Sequence, residues 1–240
     1  MISVEHVTKK FKNKTALDDI CCSIGEGTVY GLIGYNGAGK TTLLKTISGI
    51  YRAESGQVLI DGQNVYENEM IKLQMFIMTE ELYFLPQATL LRMRDFYRGY
   101  YPTWSDEIFY RLTEVFKLNL NHKIGSFSKG MQRQAGIITA FAVLPKYLFL
   151  DEAFDGLDLS MRYMMKKMLD DYISVRKATA IITSHNLSEL GGFADRIGMI
   201  RDCRLSFDGP VEALPGGSLE KFFLNEREQK DYDFKTIFQQ

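Results

Sequence analysis

Residues 34–42 run Gly-Tyr-Asn-Gly-Ala-Gly-Lys-Thr-Thr, so Gly34, Gly39, Lys40 and Thr41 fill every fixed position of the phosphate-binding pattern G-x-x-x-x-G-K-[ST]. Glycines at that spacing let the backbone bend until successive N–H groups point inward and cradle phosphate oxygens. Lys40 brings a point charge to the terminal phosphates, and the Thr41 hydroxyl can ligate Mg²⁺. Asn36, Gly37, Ala38 and Thr42 complete the loop, although Asn36 also suits a turn for its own sake. A second candidate is Tyr147-Leu148-Phe149-Leu150-Asp151-Glu152, an apolar run ending in two acids. Asp151 is placed to hold Mg²⁺ opposite Thr41, commonly through water. Glu152, the next residue along the pleat, is expected to point at the terminal phosphate and serve as general base on an attacking water. Together these residues imply a site that binds and hydrolyses a nucleoside triphosphate.

Those side chains need a sheet to hold them. Ile2–Val7 alternates as a strand, Thr28–Ile33 reads as a buried strand feeding the loop, and Lys40–Ser48 as a helix whose N-terminus faces the phosphates. Gln57–Ile60 with Asp61-Gly62 predicts a strand entering a tight turn, and Met75–Met78 a short strand. From about Leu85 to Ala142 the pattern turns helical, over Thr89–Gly99, Ser105–Lys117 and Lys129–Ala142, with Ser105 and Ser128 as N-caps. Strand patterns return at Tyr147–Leu150, Ala178–Thr183, Arg196–Ile200 and Arg204–Phe207, around a helix at Ser160–Val175. This is an α/β core interrupted by a helical insert. The tail from Gly216 is polar with scattered aromatics, and its pattern fits a docking helix as well as a frayed end.

Among the 240 residues, 45% are hydrophobic and 25% charged, and the formal net charge is −1. A charge so near zero favours neither nucleic acid nor an anionic membrane. The three cysteines, Cys21, Cys22 and Cys203, have neither the number nor the spacing of a disulfide framework or a zinc motif. They are expected to pack as small apolar groups in a reducing compartment. No stretch approaches the roughly 20 apolar residues of a membrane span, and the N-terminus lacks a secretory pattern, so a cytosolic chain is expected. His6 and His122 have no chemical context and are expected at the surface.

In this order, the motifs resemble the nucleotide-binding subunit of an ATP-binding cassette (ABC) transporter, from Ile2 to about Leu214. Phe127-Ser128-Lys129-Gly130-Met131 resembles the family signature, Ala153-Phe154-Asp155-Gly156-Leu157-Asp158 the loop at the dimer contact, and Thr183-Ser184-His185 the strand end carrying the switch histidine. Phe11 sits where the family stacks an aromatic on adenine; a core Phe is the alternative. The resemblance implies a P-loop NTPase (RecA-like) core with a mixed sheet, an N-terminal antiparallel β subdomain and an inserted α-helical subdomain. It further implies one cassette over 1–240: core 1–84 and 143–215, helical insert 85–142, and C-terminal extension 216–240. Implied cofactors are ATP and Mg²⁺. Implied partners are an integral-membrane permease and a second cassette, as homodimer or heterodimer, on the inner face of the membrane, with no nucleic acid. Ser128 and Gly130 would meet the terminal phosphate of the neighbouring cassette.

Several positions depart from the family pattern. Lys129 and Met131 replace a glycine and a glutamine of the signature, and Lys129 faces either a phosphate or solvent. The family glutamine that links metal to permease falls at Glu80, with Glu81 as the second choice. Asp158 fits either a dimer contact or a helix N-cap. Pro86, Tyr100, Tyr101, Pro102 and Trp104 fit either a docking groove for the permease or a small core of the insert. The segment 101–106 resembles cassettes encoded apart from their permease, of an exporter-like kind. A soluble cassette ATPase acting on DNA or the ribosome would add a coiled-coil insert, a second cassette or a basic surface, and a small-molecule kinase would lack the Ser128–Gly130 segment.

Overall fold

The structure, a computed structural model, describes residues 1–185, 190, 192 and 194–214. The extension at 216–240 and the helix start at Asn186-Leu187 lie outside the described residues. In chain order, β1 (Ile2–Phe11) and β2 (Lys14–Ile24) form a long hairpin, and β3 (Val29–Ile33) leads to α1 (Lys40–Ile47). Next come β4 (Ser55–Ile60), β5 (Gln63–Asn64), α2 (Glu69–Lys72) and β6 (Met75–Met78). Three helices follow, α3 (Leu90–Tyr100), α4 (Asp106–Phe116) and α5 (Lys129–Ala142). The chain then returns to β7 (Tyr147–Asp151), α6 (Leu159–Arg176), β8 (Thr179–Ser184), β9 (Arg196–Arg201) and β10 (Arg204–Pro210).

Four strands make an antiparallel sheet in the order β2-β1-β4-β5. Six make the second sheet, β10-β9-β3-β8-β7-β6, in which β9 and β10 are antiparallel and the other neighbours parallel. Every residue of β3, β7 and β8 is buried, Asp151, Thr179, Thr183 and Ser184 among them, as in strands covered on both faces. Alternation along β7 divides the core. Tyr147 and Phe149 join Leu43, Leu44 and Ile47 of α1 and the antiparallel sheet on one side. Leu148 and Leu150 join Ile137, Ile138 and Phe141 of α5 on the other.

The second of these clusters runs without a break into the helical insert, through Leu90, Met93, Phe109 and Phe116. Its aromatics therefore do not form a separate small core. Trp104 stacks on Tyr97 at 6.4 Å and 8°, and Tyr97 and Tyr101 both lean on Phe76 of β6. Pro86 and Tyr100 remain exposed. Ser105 and Ser128 cap their helices as predicted, accepting from the N–H groups of Ile108 and Met131, and Thr89 and Asp158 do the same for α3 and α6.

Three elements, β2, β5 and α2, have no counterpart in the sequence reading. For β2 the reason is that Asp18 and Asp19 interrupt its alternation and Asp19 adopts a left-handed φ of 54°. Cys21, expected to pack inside, is exposed; Cys22 is the buried one. Among the described residues, no helix is long and apolar enough to cross a membrane.

Candidate functional site

Register brings the chemistry together. Ile33 pairs with Ser184 and Asp151 with Thr183, so β3, β8 and β7 end side by side. The glycine loop, His185 and Glu152 emerge from these three adjacent carboxyl ends, where open α/β sheets bind ligands. A cleft of about 550 Å³ opens there, lined by Phe11, Asn36, Gly37, Gly39, Lys40, Thr41, Thr42, Glu80, Glu152 and His185. Lys14, Thr15, Ala16 and Asp155 complete its wall.

The loop tolerates nothing bulkier than glycine at two points. A Cβ on Gly34 would lie 2.6 Å from the Ile200 carbonyl oxygen, and one on Gly39 2.6 Å from that of Ala16, with Gly39 at φ +115°. Gly39 caps α1 without a side-chain hydrogen bond, which leaves first-turn N–H groups for an anion. Lys40, only 6% exposed, donates from Nζ to the Gly34 carbonyl at 2.8 Å and lies 3.4 Å from Glu152 Oε1. Gly34 and Ala38 shape the loop from behind; the Ala38 N–H bonds the Tyr35 carbonyl.

Thr41 Oγ1 donates to Asp151 Oδ1 at 3.1 Å, and Thr183 Oγ1 donates to the same oxygen at 2.7 Å. The other carboxylate oxygen, Asp151 Oδ2, is buried without a hydrogen-bond partner. A buried orphan carboxylate oxygen beside a threonine hydroxyl is a fit for a hard divalent cation with oxygen ligands, so these residues suit Mg²⁺.

Glu152 corrects one expectation. The pleat does not carry it: β7 ends at Asp151, and Glu152 takes a left-handed φ of 48°, a conformation that non-glycine residues keep only where surroundings enforce it. Its N–H donates to Thr183 Oγ1 at 3.0 Å, Oε2 lies 2.9 Å from His185 Nδ1, and the side chain is buried. The half-exposed His185 also stands 3.9 Å from Asp155 Oδ2.

Of the two glutamates after β6, Glu80 lines the cleft, and its backbone carbonyl accepts from Arg133 Nη1 at 3.1 Å. Arg133 was not singled out in the sequence. It is a buried cation on α5; burial pulls its guanidinium below the ordinary value, against the pull of Asp155, Glu80, Asp151 and Glu152. Phe11 is exposed at the rim, edge-on to Tyr51 at 5.3 Å, so it is not a core residue. Ser128 and Lys129 are exposed, and neither Ser128 nor Gly130 lines the cleft of its own chain. A Cβ on Gly130 would stand 3.7 Å from the Gly156 carbonyl, which places the start of α5 against the 153–158 loop.

The family model described as ABC transporter matches residues 17–155. The ABC transporter ATP-binding protein YtrB of Bacillus subtilis (strain 168) is 29% identical over 206 residues, covering 86% of this chain and 70% of YtrB. The lantibiotic transport ATP-binding protein SrtF of Streptococcus pyogenes is 28% identical over 235 residues, 94% of this chain and 97% of SrtF. Among solved structures, an ATP-binding subunit of an ABC transporter superposes with a TM-score of 0.86 at 23% identity, covering 94% of this chain and 98% of that one. A dimeric cassette bound to ADP and Pi superposes at 0.79 and 21% identity, covering 88% and 99%. These two likenesses establish the fold, a P-loop NTPase core with a mixed sheet. With the family match extending over more than half of its length, the chain belongs to the ABC transporter family, as an ATP-binding subunit.

Proposed function

We propose that this chain hydrolyses ATP at a site shared between two cassettes and so drives a separate transmembrane permease from the cytoplasmic side. The observation that carries this reading is the buried Glu152 carboxylate, held between Lys40 Nζ at 3.4 Å and His185 Nδ1 at 2.9 Å at the mouth of the glycine loop. In the reaction the loop N–H groups and Lys40 bind the phosphates, with Lys40 exchanging its Gly34 carbonyl for phosphate oxygen. Thr41 and Asp151, with Glu80 in the same cleft, would hold Mg²⁺, and the ion would supply charge neutralisation on the phosphates. Glu152 orients the attacking water and takes its proton, while His185 fixes the carboxylate. Phe11 stacks on adenine, backed by Tyr51.

The exposed Ser128 and the partly buried Gly130, both outside the cleft of their own chain, are read as the groups that meet the nucleotide of the neighbouring cassette. ATP then bridges two protomers, and loss of its terminal phosphate releases them. The chain is read as one cassette, with its core at 1–84 and 143–215, an insert at 85–142 and an extension at 216–240. A groove of about 480 Å³ lined from 82–88, from 123–126 and by Gln132 of α5 is the place assigned to the permease.

Glu152→Gln tests the reading. Hydrolysis should fall about 100-fold or more while a fluorescent ATP analogue still binds, and ATP should shift the variant to a dimer on size-exclusion chromatography. Hydrolysis at the wild-type rate would remove Glu152 from the role of base. A tagged chain should also co-purify a multispanning membrane protein in detergent.

A further inference from the structure

A second cluster of chemistry-bearing side chains lies away from the nucleotide cleft, on the solvent side of the antiparallel sheet. His6 on β1 and Asp19 and Cys21 on β2 each offer one ligand atom, and these atoms all lie within 4.8 Å of one another. His6 Nδ1 is 2.8 Å from Asp19 Oδ1, and the His6 N–H donates to Cys21 Sγ at 3.2 Å. Asp19 and Cys21 are both exposed on either side of the buried Ile20, which puts them on the solvent face of β2. His6 reaches them through a register shift in the β1–β2 pairing between Val4 and Val7. The chain is bent on both sides of that shift, with left-handed φ of 51° at His6 and 54° at Asp19. The third strand accommodates the bend: a Cβ on Gly56 of β4 would lie 2.2 Å from the His6 carbonyl oxygen.

We propose that His6, Asp19 and Cys21 form a zinc-binding site. One nitrogen, one oxygen and one sulfur ligand with water in the fourth position satisfy a tetrahedral zinc ion. The sulfur and imidazole donors select zinc over Mg²⁺ or Ca²⁺. Bond lengths of about 2.0–2.3 Å put tetrahedral ligands roughly 3.3–3.7 Å apart. From the present spacing, shifts of about 1 Å at three exposed side-chain ends reach that geometry. The linear spacing of the cysteines hides the site, because its ligands come from two strands brought together by a bulge. Cys22, one residue on, is a built-in control: it is buried, and burial above all pushes its thiol up to about 12. An ion at this position clips β1 to β2, the hairpin whose far end supplies Phe11, Lys14, Thr15 and Ala16 to the cleft.

Cobalt(II) is the probe, titrated into the full chain under reducing conditions with excess Mg²⁺. One equivalent should bind in the micromolar range with a thiolate-to-cobalt charge-transfer band in the near ultraviolet, and zinc should displace it. Cys21→Ser should abolish the band, His6→Ala and Asp19→Asn should weaken binding about tenfold or more, and Cys22→Ser should leave it intact. Affinity should rise with pH, because the ligands bind deprotonated. The Glu152, Asp155 and His185 cluster has no thiol and gives no such band. Zinc should raise the melting temperature of the wild type and not of Cys21→Ser, with ATP-analogue binding reporting that each variant is folded. A band that survives Cys21→Ser, or no saturable band below about 100 μM cobalt, overturns the site.

Discussion

At Gly39 the backbone and the ligand site make the same demand. A side chain there would have to accept φ +115° and stand 2.6 Å from the Ala16 carbonyl oxygen on β2. Gly39→Ala should therefore lose about 2 kcal/mol or more of stability, a melting-point drop of roughly 4–8 °C, and weaken ATP-analogue binding at least tenfold. Gly62→Ala separates the two effects. Gly62 also has a positive φ, +76°, but nothing within 4 Å of its Cβ position, so about 1 kcal/mol and no change in binding are expected. Equal losses in the two variants would show that the close approach to Ala16 carries nothing. At this scale Lys40 and Thr41 were visible as the end of the glycine loop opening α1, and Asp151, Glu152 and His185 as reactive types at or just past the end of a strand. Thr183, Tyr51 and Arg133 were not. Thr183 matters through its bond to Asp151 Oδ1, Tyr51 through its contact with Phe11, and Arg133 through four acids on other elements.

Helix starts could be read from the sequence because a cap is a local event. Ser105 Oγ accepts from the Ile108 N–H at 3.2 Å, and Asp106 and Glu107 follow in the first turn. Ser105→Ala should cost about 1 kcal/mol, lowering the melting temperature by about 2–4 °C with ATP binding unchanged. A drop under about 1 °C would mean that the two first-turn acids hold this end without the cap. The strands divide differently. β3, residues 147–150 of β7 and residues 180–182 of β8 are apolar runs, so their burial was visible; β2 was not, because Asp18 and Asp19 break its alternation and its pairing with β1 shifts register at three places. A slipped register sends side chains to the opposite face, and alternation then no longer reports burial. The same slip hides the His6–Asp19–Cys21 cluster. The packing of Tyr97 and Tyr101 was likewise not legible, since it depends on Phe76, which lies on a strand outside the insert.

For the whole molecule, the decisive question is whether one chain contains a complete site. Lys40 lines the cleft, whereas Ser128 and Gly130 of the same chain do not. If two copies pair with two-fold symmetry, each site combines the loop of one protomer with the signature of the other. Lys40→Ala and Ser128→Ala should then each be inactive alone, because both sites of either homodimer carry one defect. In a mixed dimer the defects segregate unequally. One site unites both lesions, and the other unites the intact loop of the Ser128→Ala protomer with the intact signature of the Lys40→Ala protomer. Random pairing makes half of the dimers mixed, each with one of two sites whole, so mixing the two inactive variants should restore about a quarter of wild-type ATPase activity. A site completed within one chain predicts no recovery, since every protomer in the mixture still carries a lesion in its own site. Steady-state phosphate release, measured on each variant and on the equimolar mixture, separates the two architectures.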